Sequence, residues 1–255
     1  MKIAFLHFSF CCGSQKDNAE KILRGVELAA KAGAEWVLTP EMALQGYWMV
    51  RSGHEYDYLD RNSLLLKKFR AAAKVHNITL FLGCAEKLED TSPRNSCIVI
   101  NAKGEICTRH AKIKVVKWIT EDWATPGEEV TVFECGGIRT GLLVCADAWF
   151  AEHGKQLADR GAELIVVTAA WPPGGHGGPP EDAWRRCSLA SGGKTLLVCN
   201  QTGSEGMDCM LAQSAVVAGD EVKISYSGAE AVLLTEIDED NCRLLSDDFE
   251  KILLE

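Results

Sequence analysis

The chain has no run of Lys or Arg longer than two, and its formal charge is −9 over 255 residues. A general nucleic-acid binder needs a basic stripe to displace counterions from phosphates, so that class is excluded. No apolar run approaches the roughly 18 residues that cross a bilayer. The opening segment, Met1 to Phe8, is too short in its apolar part for a signal peptide and lacks a small-residue cleavage site. It reads as a first strand, and the expectation is a cytoplasmic protein that needs neither membrane nor nucleic acid. Eleven cysteines are present, but no two lie three positions apart, which excludes the zinc-finger and thioredoxin signatures. Their number is odd. Most sit in apolar runs, such as Ser96-Cys97-Ile98-Val99 and Leu197-Val198-Cys199. That is how reduced thiols are used as small hydrophobes in a reducing compartment.

What remains is ordinary globular composition, 47% hydrophobic and 25% charged, which excludes collagen-like, disordered and coiled-coil chains. A chain this long buries about three quarters of its extended surface and needs no metal or disulfide to fold. Short apolar runs alternate with amphipathic stretches. Strands are expected over 2–8, 35–38, 78–82, 96–101, 105–110, 131–135, 138–144, 164–169 and 195–200, with short ones near 214–218, 222–226 and 231–236. Helices are expected over 18–32 (capped by Asp17-Asn18), 63–76 (capped by Asn62-Ser63), 150–160 and 181–191. Gly136-Gly137 marks a compact hairpin. The segment 113–130 is irregular, the Pro/Gly-rich stretch 172–180 is a loop, and 244–255 is a weak helix or tail. No linker and no repeat divides the sequence. The expected organisation is one α/β domain over 1–255, its tail beginning near 238.

Three segments place a reactive side chain at the end of an apolar strand, where α/β folds put their sites. In Trp36-Val37-Leu38-Thr39-Pro40-Glu41-Met42 a carboxylate follows a buried strand; alone it also reads as a solvated turn residue. In Arg109-His110-Ala111-Lys112-Ile113-Lys114-Val115 the alternation puts His110, Lys112 and Lys114 on one face; alone this also reads as a charged strand edge. In Leu142-Leu143-Val144-Cys145-Ala146-Asp147 a thiol ends a strand near a helix start, where orphan N–H groups favour a thiolate and hold an oxyanion; alone it also reads as a structural core Cys.

Taken together, Glu, Lys and Cys in this chain order resemble the carbon–nitrogen hydrolase (nitrilase) superfamily. The matching residues are Pro40-Glu41-Met42 with Gly46-Tyr47, Asn95-Ser96 with Gly104, Lys112, Glu121 with Pro126-Gly127, and Gly141 to Asp147 with Phe150 and Glu152. Further on, Gly161-Ala162, Ala169-Ala170-Trp171-Pro172, Trp184, Asn200 with Gly203, and Ser214 also fit. The resemblance runs from residue 2 to about 225. The chain departs from the family pattern around the Lys. The family often has Tyr-Arg before it and His-Leu after it, where this sequence has His110-Ala111 and Lys114-Val115. Ala146 replaces the commoner Tyr, and Asp147 matches amidase-like members rather than true nitrilases.

The resemblance implies an α-β-β-α four-layer sandwich and a homodimer or higher homo-oligomer, without metal or organic cofactor. It implies thioester chemistry on a small-molecule amide. Cys145 is the nucleophile, Glu41 the general base and acid, and Lys112 with the Ala146 backbone N–H the oxyanion donors. Glu121 is a supporting carboxylate, and Lys114 the rival of Lys112. Trp171, Trp149 and Tyr47 are candidate substrate contacts; Trp118, Trp123 and Trp184 also lie near the motifs, and 172–180 could act as a lid. N-carbamoyl amine hydrolysis or acyl transfer on the same residues, and a catalytically silent binding relative, are the competing readings.

Overall fold

The computed structural model describes residues 1–10, 13–51, 53, 55–88, 91–117, 120–174, 178–204 and 206–254. The chain runs β1 (Lys2–His7), α1 (Gln15–Lys31), β2 (Trp36–Leu38), α2 (Leu64–His76), β3 (Thr79–Glu86), β4 (Arg94–Ile100) and β5 (Ile106–Ala111). It continues through β6 (Thr131–Cys135), β7 (Ile138–Val144), a 3₁₀ turn (Cys145–Trp149), α3 (Ala151–Asp159), β8 (Leu164–Ala169), α4 (Pro180–Ala190) and β9 (Thr195–Asn200). The last strands are β10 (Ser214–Ala218), β11 (Glu221–Tyr226), β12 (Ala231–Glu236) and β13 (Glu250–Leu253).

Two mixed sheets result. One is seven-stranded in the order β13-β12-β1-β2-β3-β4-β5, the other six-stranded in the order β11-β10-β9-β8-β7-β6. The neighbours β1–β2–β3 and β7–β8–β9 are parallel, and the remaining pairs are antiparallel.

Period-two alternation assigns the layers. Ile3, Phe5, Trp36, Leu38, Phe81, Cys97 and Val99 pack in one core with Leu142, Val166, Leu197 and Val216 of the other sheet. Their neighbours Ala4, Leu6, Val37, Leu80, Leu82, Ile98 and Ile100 pack in a second core with Ile22 and Val26 of α1 and Phe69 and Ala73 of α2. Leu157 of α3 and Trp184 and Cys187 of α4 join the core of the six-stranded sheet. The order is helices, sheet, sheet, helices, the α-β-β-α sandwich. Among the described residues no helix is long and apolar enough to cross a membrane.

Two expectations are corrected. Ser14, not Asp17-Asn18, caps α1, its hydroxyl accepting from the Asp17 N–H at 3.1 Å. Residues 250–253 form an edge strand on β12 rather than a helix or tail. Ile252 packs on the α1/α2 core, so a partner distant in sequence decides the conformation of a short segment with weak local preference. Nine cysteines within the described residues form no disulfide, eight of them buried and Cys107 exposed; Cys11 and Cys12 lie outside those residues.

Candidate active site

The site residues lie at the C-terminal ends of strands, two of them in the parallel parts of the sheets and one after the antiparallel β5. Glu41 lies three residues beyond β2, Lys112 directly follows β5, and Cys145 directly follows β7. Two glycines permit close chain approach at the first two. A Cβ on Gly83 of β3 would lie 2.1 Å from the Pro40 carbonyl oxygen, and one on Gly127 would lie 2.2 Å from the Ala111 carbonyl oxygen. Neither contact can accommodate a side chain, because the obstructing atom is backbone. Cys145 opens the 3₁₀ turn with φ +45°, and Met42, beside Glu41, has φ +54°. Positive φ is costly for a side chain larger than Gly and persists where surrounding contacts enforce it.

Glu41 and Lys112 are completely buried, and Glu121 nearly so. The Lys112 ammonium donates to Glu41 Oε1 at 2.6 Å and to Glu121 Oε2 at 2.8 Å. Asn95 donates from Nδ2 to both Glu41 Oε1 and Glu121 Oε1, so one amide bridges the two carboxylates. The Ala170 N–H donates to Glu41 Oε2 and the Val116 N–H to Glu121 Oε2. These hydrogen bonds offset part of the cost of burying the charges.

The electrostatics follow from two carboxylates and one ammonium, all buried. Burial opposes the Lys112 charge, but Glu121 and Glu41 outweigh it and hold its pKa well above the ordinary lysine value. Burial pushes the Glu41 carboxyl up, against the pull of Lys112 and with the Glu121 charge adding to it. Burial also pushes the Cys145 thiol well above its usual range, with the Glu41 charge adding to it; Lys112 and the Ala170 N–H oppose this without prevailing. This environment favours the neutral thiol over the thiolate that orphan N–H groups at a helix start would favour. Glu41 and Cys145 act on each other's ionisation, which places a carboxylate beside the thiol.

The structure separates the other candidates. Tyr47 is buried; its hydroxyl accepts from the Thr120 hydroxyl at 3.1 Å and its ring centroid lies 5.8 Å from Lys112 Nζ. It packs with Met42, Met49, Ala85 and Ala170. Trp171 and Trp149 are half-buried and stack with centroids 5.7 Å apart. Trp184 is fully buried, edge-on to Trp171, and belongs to the core rather than to a pocket wall. The Trp123 indole N–H donates to the Thr120 carbonyl. Lys114 does not follow Lys112 inward, because β5 ends at Ala111 and the alternation lapses; its ammonium sits 4.2 Å from the Phe150 ring centroid. Trp118 and His176, with residues 175–177 of the candidate lid, lie outside the described residues.

Asn95 and Asp147 appeared in the sequence as matches to a pattern, without a task. Burial of a polar residue on an otherwise apolar strand was the available signal at Asn95. Asp147, completely buried, accepts from the Ile113 and Lys114 N–H groups through Oδ1, and from the Val144 N–H and His110 Nε2 through Oδ2.

Residues 6–246 match the carbon–nitrogen hydrolase family. The chain belongs to that family. It is 25% identical over 178 residues to nitrilase homolog 2 of Dictyostelium discoideum, covering 66% of this chain and 54% of that protein. It is 28% identical over 177 residues to a glutamine-dependent NAD(+) synthetase of Acinetobacter baylyi, covering 67% and 31%. It thus spans about half or less of the length of these two relatives. With 2-oxoglutaramate amidase of Bacillus subtilis it shares 25% identity over 207 residues, covering 79% and 76%. The structure of an amidase from Nesterenkonia sp. superposes with a TM-score of 0.80 at 22% identity, covering 97% of this chain and 91% of that one. A mutant of the amidase from Nesterenkonia sp. AN1, with a TM-score of 0.81 at 22% identity and coverage of 94% and 91%, shows covalent addition of the acetamide moiety of fluoroacetamide at the active site cysteine. At this identity the structural likeness establishes the fold.

Proposed function

We propose that the protein hydrolyses a non-peptide C–N bond of a small amide through a thioester on Cys145. The observation that carries this is the buried Glu41–Lys112–Glu121 array beside a strand-end thiol at positive φ. Sγ attacks the amide carbonyl carbon as its proton passes to Glu41. Charge develops on the carbonyl oxygen. An ammonium has three N–H donors, two of which Lys112 directs to Glu41 and Glu121, leaving one for that oxygen. The Ala146 N–H is the second donor; losing one such donor costs about 2.7–4 kcal/mol of transition-state stabilisation. The C–N bond then breaks as Glu41 returns its proton to the departing nitrogen. Water attacks the thioester, its proton goes to Glu41, and the thiol leaves with that proton restored.

Glu121 holds Lys112 and takes no proton in this scheme. Trp149, Trp171 and Tyr47 are proposed to wall the substrate. The covalent adduct on the cysteine of the Nesterenkonia amidase supports the nucleophile assignment.

The test is ammonia release from a panel of primary amides, ω-amides of dicarboxylic acids, N-carbamoyl amines and nitriles. Release from an amide that Cys145→Ala abolishes while the variant stays folded is the expected result. Undiminished release by Cys145→Ala overturns the mechanism.

A further inference from the structure

We infer that His110 and Asp147 form a positioning pair that holds the Lys112 segment of one sheet against the Cys145 turn of the other. His110 is a departure from the family pattern at this position, and the structure gives it a specific task. Both side chains are completely buried, with His110 Nε2 3.1 Å from Asp147 Oδ2. An ionised carboxylate offers only lone pairs, so Nε2 carries the hydrogen of that bond. The other ring nitrogen, Nδ1, lies 3.2 Å from Thr131 Oγ1 on β6, which fixes the orientation of the ring.

The Asp147 carboxylate joins two pieces of chain 34 residues apart. Oδ1 takes the N–H groups of Ile113 at 3.0 Å and Lys114 at 2.8 Å, the residues directly after Lys112. Oδ2 takes the N–H of Val144 at 3.0 Å, directly before Cys145. The Asp147 carbonyl meets His153 Nδ1 at 2.8 Å, tying the same turn to α3. Burial works against the Asp147 charge, yet its carboxyl is held below the usual range, with the His110 hydrogen bond the largest contribution in that direction. Four hydrogen bonds on one carboxylate thus fix the separation between the ammonium and the sulfur. The positive φ of Cys145 requires such a constraint, because an unrestrained Cys relaxes out of that region.

Neither His110 nor Asp147 is placed to touch substrate, and the assignment rests on the proposed reading of Glu41, Lys112 and Cys145 as the reacting groups. A glutamine Nε2 reaches the place of a histidine Nε2, whereas phenylalanine keeps the ring and loses the donor. His110→Phe is therefore compared with His110→Gln. Steady-state kinetics are measured on an amide the wild type hydrolyses. The iodoacetamide alkylation rate of Cys145 is followed by peptide mass mapping.

A misplacement on the order of 1 Å costs about 100-fold in rate. The expected result is a fall in kcat between about tenfold and that limit for His110→Phe, with KM within about twofold, slower Cys145 alkylation, and recovery of most of the loss in His110→Gln. Wild-type kcat and alkylation in His110→Phe, or equal loss in both variants, overturns the pair. If His110→Phe does not fold, Thr131→Val frees Nδ1 without emptying the core: a lowered kcat at constant KM supports the pair, and unchanged kcat and alkylation overturn it. Should the wild type release no ammonia from any amide, the amidase reading fails by itself, and the alkylation rates still decide the pair.

Discussion

The two sheets contribute unequally to the site. The seven-stranded sheet supplies the charged residues, Glu41 after β2 and Lys112 after β5, with Asn95 on β4 bridging both carboxylates. The six-stranded sheet supplies a single thiol, on a strained turn after β7, and the backbone N–H of Ala170 after β8. In the proposed mechanism one side holds the proton-handling carboxylates in a hydrogen-bonded array, and the other holds the nucleophile in a strained backbone conformation. Placing them on different sheets lets each be fixed by its own scaffold. It also makes chemistry depend on the bonds that span the gap.

That division is broken most severely on the charged side. Glu41→Gln removes the proposed proton acceptor but preserves the shape, and Glu121 still faces the Lys112 ammonium. The expected outcome is a loss of about 10²–10⁴ in kcat with the fold retained, checked by steady-state kinetics beside thermal unfolding. Lys112→Met instead leaves two carboxylates buried without their cation and is expected to cost about 3–5 kcal/mol of stability as well as activity. Lys112→Met unfolding at the wild-type denaturant concentration would show that the array is not balanced by the ammonium.

The next contrast compares how the two sheets tolerate a methyl group. On Gly83 it meets the Pro40 carbonyl at 2.1 Å, which is backbone; on Gly141 of β7 it meets the Leu157 methyl groups at 2.9 and 3.1 Å, which can rotate away. Overpacking that forces backbone shifts costs about 1–3 kcal/mol. Gly83→Ala is expected to reach that range and to lower kcat, because the displaced backbone carries Glu41. Gly141→Ala is expected to cost less and to spare kcat. Urea unfolding and kinetics on both variants check this, and a reversed order would refute it.

The sequence disclosed the ends of this arrangement and not its middle. Glu41, Lys112 and Cys145 stood out because each is a reactive side chain terminating an apolar strand, and the layers followed from period-two alternation. Lys112 and Lys114 share a face only if β5 continues, and its end at Ala111 is a property of sheet pairing, invisible locally. Asn95 and Asp147 act on groups 54 and 34 residues away, and the need for Gly83 comes from a loop 43 residues earlier. No window of sequence holds both partners of such a contact. The strand at 250–253 escaped for the same reason: its hydrogen bonds belong to β12.

The remaining predicted effect, confined to acid pH, concerns a second histidine that crosses between the sheets. His7 ends β1 of the seven-stranded sheet, and its Nδ1 lies 2.9 Å from the Ser214 hydroxyl, which opens β10 of the six-stranded sheet. Tyr226 meets the ring edge-on at 5.3 Å. Burial lowers the His7 pKa from 6.5 to about 4, with the Asn200 backbone carbonyl, an acceptor, opposing this. The folded protein therefore holds His7 neutral where the unfolded chain is protonated. Its contribution is fully present above pH 6.5 and is lost as the pH falls from there toward about 4. The linked loss over that window is about 3 kcal/mol. His7→Asn keeps a polar atom near the Nδ1 position and cannot titrate. Urea unfolding at pH 7 and pH 5 should show a smaller pH dependence in the variant than in the wild type. Equal slopes would assign the acid sensitivity to another group and leave His7 as a spacer between the sheets.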